Sequence, residues 1–203
     1  MRSLAFILFI TSLLAGCASG PNWTRRVYSF SLAADPPITN APGSIVALNR
    51  VAISPLFQSR SFTYRTGDNS YEQDPYAGFM ISPERALGES IRASMRAGGG
   101  FGRVVEPGSS LIPTLIAEVF VTELYGDFRN PKQPVGKMEL HFLCYEINDG
   151  NPGRILLDKV FAHESPLTAK SPGALMAAWD TDLHDIMQTI EAEYAKANRH
   201  EHP

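Results

Sequence analysis

Apolar positions recur with period two along some stretches of this chain and every three to four residues along others, which sets strands and helices in order. Tyr28, Phe30 and Leu32 alternate with Ser29 and Ser31, the pattern of a half-buried strand. After a Pro-, Gly- and Asn-rich loop over 33–44, Ile45 to Ser54 is apolar and β-branched enough for a buried strand closed by Pro55. Between 58 and 81, Phe62 and Tyr64 alternate with polar neighbours, Gly67-Asp68-Asn69 supplies turn chemistry and Tyr71 begins a return. That predicts a hairpin. Ser82-Pro83-Glu84 reads as a helix start: the serine accepts an orphan N–H, the proline suits the first turn, and the glutamate answers the positive helix end. Leu87, Ile91 and Met95 share one face, and Gly98-Gly99-Gly100 ends the helix.

Phe101 to Val105 predicts a short strand and Leu115 to Tyr125 a longer one. Met138, Leu140, Phe142 and Cys144 alternate with Glu139, His141, Leu143 and Tyr145; Asn148 to Gly153 forms a turn, and Ile155 to Ala162 returns. Ser171-Pro172 opens a last helix whose apolar stripe is Leu175, Trp179, Leu183, Ile186, Ile190 and Tyr194. Strands, a helix, more strands and a long helix, without sustained βαβ alternation, predict a single α+β domain: a mostly antiparallel sheet with two main helices packed on one face.

The N-terminus adds an export signal. Arg2 precedes an apolar run of eleven residues, Leu4 to Leu14, whereas a permanent membrane span needs about 20. Leu14-Ala15-Gly16-Cys17 follows at once. Small residues suit a peptidase groove and the cysteine offers a thiol for acylation, so the arrangement looks like a bacterial lipobox. The expected organisation is a signal peptide at 1–16, cleavage between Gly16 and Cys17, a lipidated tether at 17–26, a domain at 27–198 and a disordered tail at 199–203. One acyl chain holds a protein only marginally, two signals anchor it stably, and bacterial lipoproteins carry more than one chain on this cysteine. Ala18 in place of Asp favours the periplasmic face of the outer membrane over the inner membrane.

Composition narrows the chemistry. The sequence carries a net charge of −3, made one unit more acidic by loss of Arg2, and has no basic stripe, which excludes nucleic acid. With only two cysteines and one lipidated, Cys144 has no partner for an internal disulfide and reads as a small buried group. There is no His-Glu-x-x-His, Gly-x-Ser-x-Gly, P-loop or paired-cysteine spacing. The glycines at 98–102 end a helix instead of opening one, so they offer no anion cradle. His200-Glu201-His202 sits at the terminus and reads as solvated tail. His141 and His163 fall in strands, and His184 and Asp185 lie beside the last helix's stripe without the pocket a general base needs. No catalytic residue, metal site or cofactor is expected beyond covalent lipid on Cys17.

The unusual feature is the hairpin. Arg60, Phe62, Tyr64, Arg65, Tyr71, Tyr76 and Phe79 concentrate the residue types favoured at interfaces. Either they form a docking surface or the rings cover an edge of the domain's own core.

Four segments in order carry a family resemblance: the Tyr-containing first strand Val27 to Leu32, the Arg65 to Asn69 turn after Ser59-Arg60-Ser61, the helix stop leading into Phe101-Gly102-Arg103-Val104-Val105, and Ala178-Trp179 in the last helix. With the lipobox they resemble the ABC-type transport auxiliary lipoproteins, the PqiC/YmbA-like group associated with MCE-type intermembrane lipid transport. Many relatives place a tryptophan near Tyr76-Ala77-Gly78-Phe79, where this chain has Phe79. The resemblance implies a non-enzymatic lipoprotein at the outer membrane that docks or tethers the periplasmic MCE-domain protein. A homo-oligomer would suit a dock on a symmetric conduit, although no residue argues for one. Two other readings stay open: a lipoprotein binding a lipid or small ligand in its own cavity, and a structural subunit of another envelope complex.

Overall fold

The computed structural model describes residues 24–31 and 43–199. The proposed signal peptide, Cys17, Leu32, most of the 33–44 loop and the His200-Glu201-His202 tail lie outside the described residues. The strands are β1 (Arg26–Tyr28), β2 (Ile45–Ile53), β3 (Ser61–Arg65), β4 (Tyr71–Phe79), β5 (Arg103–Val105), β6 (Leu115–Asp127), β7 (Val135–Asn148) and β8 (Asn151–Pro166). The helices are α1 (Pro83–Gly98) and α2 (Pro172–Arg199). They form one α+β domain around a single sheet.

The middle of that sheet is β6. One edge carries β7 along its whole length, followed by β8. The other edge is shared: β2 pairs with Leu115 to Val121, and β3 with Gly126 and Asp127. Outside β2 lies β5, and outside β3 lie β4 and then β1. The sheet is mixed, not mostly antiparallel as the pattern suggested: β1–β4, β2–β5, β2–β6 and β3–β6 run parallel, against antiparallel β3–β4, β6–β7 and β7–β8. For β5 and β6 the reason is α1, which packs on β2 and carries the chain back to the end where β2 began, so both strands enter parallel to β2.

Alternation along the strands decides which face is buried. Val46, Leu48, Val119, Val121, Leu140 and Phe142 point to the side covered by both helices, against Leu87, Ile91 and Met95 of α1 and Trp179, Leu183 and Ile190 of α2. Each such side chain contributes roughly 1.5–3 kcal/mol by leaving water. The opposite face presents Arg50, Glu118, Leu143 and Asp158 in one cross-strand row and Ala52, Phe120, His141 and Val160 in the next. Phe120 and Val160 are exposed there.

Local details depart from expectation in two places. The Ser82 side chain makes no cap bond; its carbonyl instead accepts the Ala86 N–H at 3.0 Å. The first strand ends at Tyr28, shorter than the serine alternation suggested, although Phe30 still reaches the core. The helix stop holds: Gly99 has φ 71°, a left-handed cap that glycine adopts without strain.

Candidate docking surface

The hairpin divides its residues between two roles. Phe62 and Phe79 are core: 0 % and 2 % exposed, they pack on Trp179 with ring centroids 5.0 and 5.6 Å away. Trp179 is pinned by its Nε1–H, which donates to the Tyr125 carbonyl at 3.3 Å. Neither phenylalanine belongs to a free surface, which corrects their place among the candidate partner contacts. The period-two pattern put them on one face, and that face turns under α2. Arg60 is also spent internally, its guanidinium donating to the carbonyls of Phe79 and Met80.

Tyr64 is half-buried, and its hydroxyl donates to Asp74 Oδ2 at 2.7 Å. Burial, with Asp74 beside it, holds its hydroxyl pKa well above the usual phenol range. The other Asp74 oxygen accepts the N–H groups of Tyr76 and Ala77. One carboxylate thus organises the irregular stretch at Pro75, where the pairing jumps from Thr63↔Gln73 to Ser61↔Gly78.

At the start of β4 a different cluster forms. The Arg65 guanidinium lies 5.7 Å from the Tyr71 ring centre and 5.9 Å from that of Tyr125, within cation–π range. It donates to the Tyr125 hydroxyl and to the carbonyls of Gly67 and Asp68. Phe57 packs against both tyrosines. Tyr71 remains 41 % exposed, and Leu56, next to Phe57 in the chain, is more so. Beside them Arg129 binds Asp127 at 2.6 Å and approaches Asp68 at 3.6 Å; those hydrogen bonds hold the Asp127 carboxyl below its ordinary pKa. This arginine–aromatic tip offers fixed rings, a fixed cation and exposed apolar area, the features of an interface anchor. Tyr76 lies elsewhere, toward the other end of β4.

Leu56, Phe57 and Tyr125 were missed in the sequence because they join the tip through non-local pairing: β3 meets β6 at Tyr64↔Gly126. The histidines of β7 and β8 pair with carboxylates. His141 pairs with Asp158. His163 bridges fully buried Asp182, at 2.9 Å, and Asp185, at 3.3 Å, tying β8 to α2. Burial pushes the Cys144 thiol pKa up to about 12. Among the described residues no group of three or more His, Cys, Asp or Glu is placed to hold a metal ion.

No family model and no curated protein matches the sequence. Solved structures do. The Xanthomonas campestris protein XCC0632, described under the family model DUF330, superposes with a TM-score of 0.65 at 14% identity, covering 88% of this chain and 97% of that one. This chain shares that protein's fold. A second structure, of an uncharacterized protein, matches with a TM-score of 0.57 at 15% identity, covering 85% of this chain and 97% of that one. With almost the whole of each neighbour covered, the likeness extends over the whole fold and not a shared fragment. At this identity it speaks for the backbone arrangement alone; the arginine–aromatic tip stands on the side chains of this chain.

Proposed function

We propose that this chain is a non-enzymatic auxiliary lipoprotein, anchored by acylated Cys17 to the periplasmic face of the outer membrane. There it docks the MCE-domain component of an ABC-type intermembrane lipid transporter. The observation that carries the reading is Leu14-Ala15-Gly16-Cys17 directly after an apolar run too short to span a bilayer. The DUF330 fold supports it, and the tip formed by Arg65, Tyr71 and Leu56 supplies a surface on which a partner can seat. The competing reading, a lipid held in the domain's own cavity, is less well supported: Trp179, Phe142, Leu140 and Leu183 fill the space between the sheet and α2.

The test is crosslinking in cells that express the transporter. A photo-reactive residue at Leu56 or Tyr71 captures the MCE protein, while one at Asn151, on the β7–β8 turn, does not. Failure at the tip together with failure at Phe120 and Val160, on the uncovered sheet face, would overturn the docking role.

A further inference from the structure

The place where the chain enters its folded body carries an additional surface. Thr24 stands seven residues after Cys17, and those residues span at most about 25 Å. From there β1 runs along β4 as an outer strand of the sheet, with Arg26↔Ala77, Val27↔Gly78 and Tyr28↔Phe79 in register. Tyr28 and Phe79 turn inward onto Phe62. Val27, Tyr76 and Met80 turn outward. Val27 is 49 %, Tyr76 46 % and Met80 55 % exposed. Arg25 and Arg26 are exposed beside them, Arg25 donating to Ser61 Oγ at 3.1 Å. Asp74 on β4 already accepts bonds from Tyr64, Tyr76 and Ala77.

We infer that this β1–β4 edge lies on the bilayer surface, with Val27, Tyr76 and Met80 entering the headgroup region and Arg25 and Arg26 facing anionic phospholipids. The inference rests on acylation of Cys17 and adds to it an orientation for the body. Aliphatic side chains and an amphipathic tyrosine ring favour the membrane interface, and basic side chains are drawn to its negative potential. A short tether holds the patch at an effective concentration in the roughly millimolar range, so a contact too weak to recruit the protein alone suffices to orient it.

The experiment uses the full lipidated protein in vesicles of phosphatidylcholine and phosphatidylglycerol. An environment-sensitive fluorophore is attached through Val27→Cys, Met80→Cys or, at the far turn, Asn151→Cys; buried Cys144 stays unlabelled. With brominated phosphatidylcholine as quencher, emission from positions 27 and 80 falls roughly twofold, as expected for side chains in the interface, and that from 151 is unchanged. The Arg25→Glu, Arg26→Glu variant loses this quenching. If positions 27 and 80 stay bright while the protein floats with the vesicles, the patch is refuted and the anchor stands. Failure to float refutes the acylation and the orientation together. Lipid-independent crosslinking between copies through Met80→Cys would assign the edge to a second copy and overturn the lipid contact.

Discussion

Phe62 and Tyr71 stand on opposite strands of one hairpin, and their substitution by alanine separates structure from docking. Phe62 is enclosed by Tyr28, Phe79 and Trp179, so Phe62→Ala opens a cavity and costs about 3–5 kcal/mol in chemical denaturation. Tyr71 keeps much of its ring in solvent; Tyr71→Ala costs below about 1 kcal/mol, while crosslinking from Leu56 to the partner falls. Two aspartates give opposite pH slopes. Asp127 is held below its ordinary 3.8 by Arg129, so its contribution is present above 3.8 and is lost as pH falls toward the folded value. Asp182 is raised above 3.8 by burial, against the opposing pull of His163. The native state then binds the extra proton, and stability declines as pH rises from 3.8 through the folded value. Denaturation midpoints against pH should show Asp127→Asn flattening the acid side and Asp182→Asn flattening the decline above it. At this scale the sequence was half legible. It named the hairpin residues with interface chemistry, but period two cannot say which face α2 will cover, and that decided Phe62 and Phe79.

Elements were read more completely. The helices, the hairpin and the β6–β7–β8 ladder follow from local periodicity and turn residues, whereas parallel pairing of β2 with β6 depends on residues far apart in the chain. The single crossover through α1 left no repeated pattern to find. Close approach of elements was equally hidden. A Cβ on Gly136 of β7 would sit 2.8 Å from the Ala178 Cβ of α2 and 3.5 Å from Trp179 Cδ1. Glycine here lets the helix lie down on the sheet. Gly136→Ala should therefore cost about 1–3 kcal/mol by overpacking, and Ala178→Gly about 1 kcal/mol through helix propensity. Because Gly136→Ala creates a collision that Ala178→Gly relieves, the double variant should be more stable than their sum by about 0.5–3 kcal/mol. Strict additivity in urea denaturation would show that the helix does not rest on this contact.

For the molecule as a whole, register puts the entry of the chain and the arginine–aromatic tip on one hairpin toward one end of the sheet, though near opposite ends of β4. Tyr71 pairs with Arg65 and Arg65 with Asp127, while Val27 lies beside Gly78 and Gly78 beside Ser61, a few residues along the same strands. Asn148 and Asn151 close β7 and β8 at the other end. Under the proposed function the partner is met near the headgroups, and a body lying on its β1–β4 edge would keep the Arg65–Tyr71 tip within about one strand length of them. Height is then set by the short stretch between Cys17 and Thr24. A Gly/Ser segment of about 20 residues inserted after Gly20 behaves as a random coil, with an end-to-end distance near 25 Å of its own. It frees the body from the surface and dilutes the tip at its working position. The expected outcome is unchanged membrane fractionation and denaturation midpoint with reduced partner capture from Tyr71. Capture that survives the insertion would mean that the partner, and not the tether and its lipid-facing edge, fixes the height of the dock.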